Sequence, residues 1–184
     1  MTAMSGPGAR EERFELLFRS NRAGILRYFL RRVASKPDAA DLLAETFLVA
    51  WRKLEEVPPG EAGRLWLFGV SRRVLANHHR HERTEEVLVG HLRQQIGFQA
   101  DIHMTQRTVP FDDAIASALD RLHPGDREII ELSAWEQLSP SQIASVIDMK
   151  PGAVRVRLHR LRRTLATQLI SAGYPTTAQA ERIG

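Results

Sequence analysis

The sequence predicts an all-α protein made of two small helical domains joined by a flexible linker. Apolar residues recur at helical spacing through most of the 184 residues, and no segment shows the alternation expected of a β-strand. A polar stretch with a weak apolar pattern interrupts this spacing between residues 84 and 110. We therefore expect a frayed end over 1–9, a first domain over 10–83, a linker over 84–110, a second domain over 111–170 and a loose tail over 171–184.

The first domain is predicted to contain three helices, over about 10–33, 38–54 and 61–83. Pro37 favours a helix start after a turn, and the segment Val57-Pro58-Pro59-Gly60 ends the second helix. Helical spacing predicts that the second helix buries Leu43, Phe47, Ala50, Trp51 and Leu54. The third helix is expected to turn Leu67, Phe68, Ser71, Val74 and Leu75 inward. Three helices of this length can enclose a core.

The second domain ends in two helices joined by a tight turn. Ser139 suits the N-cap of the first of these helices, and Pro151 suits the start of the second. Four apolar residues give the second helix one buried face: Val154, Leu158, Leu161 and Leu165. Its other faces are basic and contain Arg155, Arg157, His159, Arg160, Arg162 and Arg163. A solvated helix face usually mixes both signs of charge, so this pattern favours a helix-turn-helix that enters the DNA major groove.

An acidic motif lies in the second predicted helix. Asp38, Asp41 and Glu45 fall at i, i+3 and i+7, which places three carboxylates along one helical face. Two interpretations remain open on spacing alone, a solvated acidic face and a docking surface for a basic partner. A carboxylate metal site is disfavoured, because no further ligand joins at the required spacing.

A third motif, over residues 64–84, alternates aromatic and basic side chains. Bases stack on aromatic rings while cations follow the phosphate backbone, so this composition suits single-stranded nucleic acid. Phe68 is expected in the core, whereas the pattern does not decide between core and surface for Trp66. His78, His79 and His81 are not expected to bind metal, because adjacent residues on a helix point about 100° apart.

Several classes of protein are disfavoured by what the sequence lacks. It has no cysteine, so disulfides and thiolate chemistry are excluded, and its formal net charge is +4. It has no phosphate-binding glycine loop, dinucleotide fingerprint or nucleophile elbow, so we expect no enzyme activity, no cofactor and no metal. No apolar run is long enough to span a membrane and no signal peptide is evident, which predicts a cytoplasmic protein without membrane insertion.

Taken together, the order and separation of the three motifs resemble the extracytoplasmic-function (ECF) group of bacterial sigma factors, group 4 of the sigma-70 superfamily. The segment from Asp38 to Phe47 is similar to that family's polymerase-binding helix, D-x-x-D-L-x-Q-E-x-F. Trp66-Leu67-Phe68 and the basic helix after it resemble the segment that engages the −10 promoter element. The stretch from Leu138 to Leu165 resembles the helix-turn-helix that reads the −35 element.

This resemblance implies a region 2-like three-helix domain, a region 4-like helix-turn-helix domain, and a role in transcription initiation. The chain would bind core RNA polymerase and direct it to promoter DNA through the −10 and −35 elements. Because anti-sigma factors are common partners in the family, the resemblance implies such a partner as well. Polymerase contacts are expected from Asp38, Asp41, Leu42, Glu45 and Phe47. The −10 contacts are expected from Arg64, Trp66, Arg72, Arg73, Asn77 and Arg80.

The −35 element would be read mainly by the leading turns of the last helix. Base contacts are expected from Arg155, Val156, His159 and Arg160, and phosphate contacts from Lys150, Arg157 and Arg163. The sequence departs from the family pattern at Ala44, where glutamine is usual, and at Asp148, where glycine is usual in the turn. Aspartate tolerates the left-handed conformation better than most residues, so the turn is expected to persist.

Two other functions are compatible with the same residues. One is a conventional helix-turn-helix regulator that binds duplex DNA as a dimer without polymerase. The other is a helical adaptor that binds only protein and docks its basic helix on an acidic partner.

Overall fold

The computed structural model describes residues 7–96 and 113–173, and every regular element in these two ranges is helical. The chain divides into two compact units, residues 1–109 and residues 110–184. The first unit contains α1 (Pro7–Leu30), α2 (Lys36–Arg52), a short 3₁₀ helix (Leu54–Glu56) and α3 (Glu61–Ile96). The second unit contains α4 (Asp113–Asp120), α5 (Pro124–Ala134), α6 (Pro140–Ile147) and α7 (Pro151–Ser171). The predicted all-α class is confirmed.

The helix ends differ from the predicted ones at two places. α1 begins at Pro7, within the segment expected to fray, and α3 continues to Ile96, past the predicted end at Arg83. The first part of the predicted linker is therefore helical, which is consistent with its many glutamate, leucine, arginine and glutamine residues, all strong helix formers. The rest of the predicted linker, over 97–110, lies outside the described residues, as do 1–6 and most of the predicted tail.

The core of the first unit forms where α1, α2 and α3 pack against one another. Phe47 of α2 is buried, and its ring centroid lies 4.8 Å from that of Phe18 and 6.2 Å from that of Phe14, both on α1. Phe14 also meets Trp51 edge-on, with the ring centroids 5.1 Å apart. These edge-to-face contacts fix α2 against α1 and thereby set which side of α2 faces outward.

The second unit is built around α7, which contacts α4, α5 and α6. Val154, Leu158 and Leu161 of α7 are buried, as predicted from their spacing, whereas Leu165, the fourth residue of the predicted stripe, is half-buried. Ser139 caps α6 in a reciprocal capping box: its hydroxyl accepts from the Gln142 amide, and its own amide donates to the Gln142 side chain. α6 and α7 thus form the predicted helix-turn-helix, in which α6 is capped by Ser139 and α7 begins at Pro151 without a side-chain cap.

The turn between α6 and α7 requires a left-handed residue. Asp148 adopts φ 56° and ψ 54°, so the expectation that aspartate would take over the usual glycine conformation is confirmed. For a residue with a Cβ atom this conformation costs about 1–2 kcal/mol.

Truncation of Phe47 tests its role in the core of the first unit. We expect Phe47→Ala to lower the free energy of unfolding by about 3–5 kcal/mol, because it leaves a cavity among the α1 rings. Glu45→Ala, on the exposed side of the same helix, should change it by less than about 0.5 kcal/mol. Urea unfolding measures both, and equal effects would contradict the packing described.

Substitutions at Asp148 test the strain in the turn. Asp148→Gly should slow amide hydrogen exchange in α6 and α7, because removal of Cβ relieves about 1 kcal/mol of strain. Asp148→Val should speed exchange, since a β-branched residue resists positive φ. Asp148→Asn, which tolerates the conformation equally well, is the matched control and should leave exchange unchanged. A faster exchange in the glycine variant would show that the turn is not strained.

Candidate nucleic-acid and protein interfaces

One side of α2 exposes acidic and apolar residues together. Asp41, Ala44, Glu45 and Leu48 are exposed and follow one another at helical spacing; we call this set the α2 acidic face. Leu48 is 54% exposed, although leucine is usually buried. Leu48 was not among the predicted polymerase contacts. The available signal was its position seven residues after Asp41 and three after Glu45, on the same face.

Three of the five residues predicted to contact polymerase are not fully exposed. Leu42 and Phe47 are each only 4% exposed, so both belong mainly to the core, although Leu42 also lines a groove between α2 and α3. Leu43, predicted to be in the core, is half-buried, and the buried stripe of α2 runs instead through Ala39, Leu42, Thr46, Phe47 and Ala50. Asp38 is half-buried in the first turn, where its backbone amide donates over 3.1 Å to the hydroxyl of Ser35, the N-cap residue of α2.

A groove of about 210 Å³ lies between α2 and α3 and borders the α2 acidic face. The α2 side is lined by Asp38, Asp41, Leu42 and Glu45, and the α3 side by Asn77, His78 and His81. The three carboxylates make the groove suited to a cationic side chain. His78 also lies close to Glu82 of its own helix, with 3.3 Å between Nε2 and Oε1.

One face of α3 brings together four of the residues predicted to contact the −10 element. Trp66, Arg73, Asn77 and Arg80 follow each other at intervals of seven, four and three residues, which places them along one stripe. Trp66 is half-buried, and the other three residues are exposed. We call these four residues together the α3 basic face. Arg80 donates to the Asn77 side-chain oxygen at 3.4 Å. Trp66 therefore lies on the same side of α3 as the cationic and amide groups, two turns before Arg73.

The two remaining −10 candidates do not join this stripe. Arg64 lies two residues before Trp66, about 200° around the helix, and its guanidinium pairs with Glu61 at 2.8 Å. It also lies 5.5 Å from the centroid of the Phe68 ring, which is buried as predicted. Arg72 is half-buried and lies about 100° from Arg73. Both are thus separated from the α3 basic face.

The side of α7 opposite its buried stripe contains all four predicted base-reading residues. Arg155, Val156, His159 and Arg160 are exposed, and Val156 is 58% exposed at the centre of this set. We call these four the α7 reading face. Lys150 and Arg163, predicted to hold phosphates, are exposed as well. Gly152, one turn before Val156, opens onto free space.

Arg157 differs from the other predicted phosphate contacts. It is half-buried at the edge of the apolar stripe, and its Nε lies 2.9 Å from Oδ1 of Asp126 on α5. Its Nη1 lies 3.8 Å from the Met149 sulfur in the turn. The structure therefore directs this guanidinium toward the protein, and the expected phosphate contact is not supported, because spacing within one helix does not reveal an acid on another.

Within residues 7–96 and 113–173, no group of three or more histidine, aspartate or glutamate side chains could hold a metal ion. In the same ranges, no helix combines the length and the apolar character needed to cross a membrane.

Comparison with known proteins assigns both units to one family. The family model described as "Sigma-70 region 2" matches residues 17–85, which include α2 and the α3 basic face. The model described as "Sigma-70, region 4" matches residues 112–165, which include the helix-turn-helix.

Individual relatives extend this similarity across both units. The chain is 29% identical over 184 residues to the ECF RNA polymerase sigma factor SigL of Mycobacterium tuberculosis, covering 94% of this chain and 98% of that protein. It is 28% identical over 150 residues to the RNA polymerase sigma factor CarQ of Myxococcus xanthus, covering 82% of this chain and 85% of CarQ.

Solved structures show that the fold is shared. CnrH, solved in complex with the cytosolic domain of CnrY, aligns with a TM-score of 0.57 at 24% identity and covers 86% of this chain and 88% of CnrH. The sigma factor RpoE of Bartonella quintana, solved in complex with the anti-sigma factor NepR, aligns with a TM-score of 0.56 at 24% identity and covers 86% of this chain and 95% of RpoE. The chain therefore belongs to the sigma-70 family, in its extracytoplasmic-function group, and is a transcription initiation factor.

Proposed function

We propose that this sigma factor binds core RNA polymerase through the α2 acidic face and reads promoter DNA with α3 and α7. The observation that supports this most directly is the α7 reading face, where three cationic or imidazole side chains surround Val156 while the apolar stripe is buried. A helix with this arrangement can insert into the major groove without exposing its core. The chain performs no chemistry of its own in this proposal and acts in the cytoplasm.

Polymerase binding is assigned to the α2 acidic face because of its mixed character. Asp41 and Glu45 attract a basic partner, and Leu48 offers apolar surface that gains free energy only when a partner covers it. The groove beside this face would receive a lysine or arginine from the polymerase. Relatives of similar length are named RNA polymerase sigma factors, which supports the same partner.

Recognition of the −10 element is assigned to the α3 basic face. Trp66 offers a ring on which an exposed base can stack, while Arg73 and Arg80 attract the backbone. Eversion of one base costs a few kcal/mol, and stacking returns about 1–3 kcal/mol per base. The free chain should therefore melt little DNA, and the polymerase must provide the rest of the binding free energy.

An anti-sigma partner is part of the proposal. The RpoE structure used for comparison contains an anti-sigma factor, which supports such a partner for a chain of the same fold.

One experiment separates the proposed function from its two alternatives. Purified chain is added to core RNA polymerase with a pool of genomic promoter fragments, and transcripts are mapped. We expect start sites that depend on both proteins. Duplex binding without any polymerase-dependent transcript would favour a conventional regulator, and protein binding without either would favour an adaptor.

Variants of the α2 acidic face should weaken polymerase capture without unfolding the chain. We expect Glu45→Lys to weaken the affinity for core polymerase at least tenfold, because a favourable charge pair becomes repulsive. Leu48→Ala should weaken it about fivefold through lost apolar burial. Glu12→Lys, the same charge change at an exposed site on α1, is the matched control. Equal losses in all three variants, measured by fluorescence anisotropy, would contradict the assignment.

Val156 should read a thymine methyl group in the −35 element. The apolar side chain at the centre of the reading face suits the C5-methyl group, the apolar feature of the major groove. In a duplex selected by the holoenzyme from a random pool, replacement of the contacted thymine by deoxyuridine should weaken binding about fourfold, the value of one buried methyl group.

Variants identify the side chain that contacts this methyl group. Val156→Ser should bind the thymine and deoxyuridine duplexes equally. Ile170→Ser, which also removes an exposed apolar side chain from α7, should keep the difference. Tolerance of deoxyuridine at every position by the wild-type chain would exclude a methyl contact.

A further inference from the structure

A single arginine connects three parts of the second unit. Arg157 extends from α7, its Nε lies 2.9 Å from Oδ1 of Asp126 on α5, and its Nη1 lies 3.8 Å from Sδ of Met149 in the turn. The Arg157 side chain is 33% exposed and that of Asp126 is 27% exposed. The pair is thus shielded from solvent on most of its surface, and salt screens it less than a surface pair.

The position of Arg157 on α7 allows this contact to influence the orientation of the residues that read DNA. Arg157 directly follows Val156 in the chain and lies three residues before Arg160, so both reading residues are on the adjoining turn. The guanidinium is a rigid planar fork, and its hydrogen bonds fix an orientation that a flexible ammonium does not. A rotation of α7 about its axis would redirect Val156 and Arg160 while lengthening the contact to Asp126.

The apolar stripe alone does not prevent such a rotation. Val154, Leu158 and Leu161 are aliphatic, and contacts among aliphatic side chains are not directional. The Arg157–Asp126 contact, by contrast, is directional. It lies at the edge of the apolar stripe, on the turns proposed to enter the DNA major groove.

We propose that Asp126 is a positioning residue for −35 recognition, which acts through Arg157 to fix the rotation of α7. Asp126 itself touches no DNA. This inference rests on the proposed function of α7. The competing role is a phosphate contact by Arg157, in which Asp126 would only oppose DNA binding.

Salt dependence separates the two roles without knowledge of the promoter. The full chain is titrated with a mixed-sequence 30-base-pair duplex at several salt concentrations. The logarithm of the association constant falls linearly with the logarithm of the salt concentration. Arg163→Gln should make this negative slope shallower by about 0.9, the value for one lost phosphate contact. Arg157→Gln should leave the slope unchanged, because its guanidinium is held by Asp126. A reduction equal to that of Arg163→Gln would overturn the proposal.

Sequence discrimination tests positioning directly. We compare affinity for the duplex selected by the holoenzyme with affinity for the mixed-sequence duplex. Arg157→Lys and Asp126→Ala should each reduce this ratio about fivefold, whereas Asp126→Glu, which keeps the carboxylate, should retain most of it. Asp120→Ala is the matched control, because it removes the same charge from the same unit. Asp120 pairs with Arg127, so the affinity ratio of this variant should change less than twofold. An unchanged ratio in Asp126→Ala would overturn the proposal.

Hydrogen exchange keeps the proposal testable if the chain fails to bind DNA. If DNA binding by Arg163→Gln and by the wild-type chain has the same salt dependence, and neither protein discriminates between the two duplexes, the proposed function fails. Asp126→Ala should still speed amide exchange in the first turns of α7 several-fold over Asp120→Ala. Equal exchange in the two variants would show that Asp126 does not fix α7.

Discussion

The burial of a narrow apolar stripe on α7 is the constraint on which the DNA-binding unit depends. Val154, Leu158 and Leu161 are held in the core formed with α4, α5 and α6. The remaining circumference must then face solvent or the edge of the core, which leaves Arg155 and Arg160 exposed on either side of Val156. Burial of either charge without a partner would cost several kcal/mol, so a rotation of α7 large enough to bury Arg155 or Arg160 is strongly disfavoured. The reading face is a consequence of the core.

Burial of an apolar stripe also explains why part of each interface could be predicted from the sequence. Spacing within one helix predicted the exposure of the α7 reading face and of Arg73, Asn77 and Arg80 on α3, because clear periodicity separates core from surface there. It failed at Leu42 and Leu43, two adjacent leucines of which either could belong to the buried stripe. Packing of Phe47 against the rings of α1 decides between them, and that contact joins residues too distant in sequence for periodicity to reveal.

The end of α3 was mispredicted for a different reason. Gly90 and the polar composition after residue 83 suggested a linker, yet helix propensity in that stretch is high and a single glycine costs only about 1 kcal/mol. Periodicity measures whether a helix has a face to bury. It says little about a helix that extends past its core, so a weak apolar pattern after Arg83 did not imply the absence of a helix.

Arginines in the second unit fall into two groups, according to whether a carboxylate lies close enough to form an ion pair. Within residues 113–173, Arg127 and Arg157 form ion pairs, and each is partly buried. In the same range Arg155, Arg160 and Arg163 are exposed and take part in no ion pair. A paired guanidinium has already lost much of its hydration and its freedom, so it fixes helices more effectively than it attracts phosphate. An unpaired one keeps its full charge for a polyanion. Total positive charge on a basic helix therefore overstates its DNA contacts, and the carboxylates of neighbouring helices determine which arginines remain for DNA.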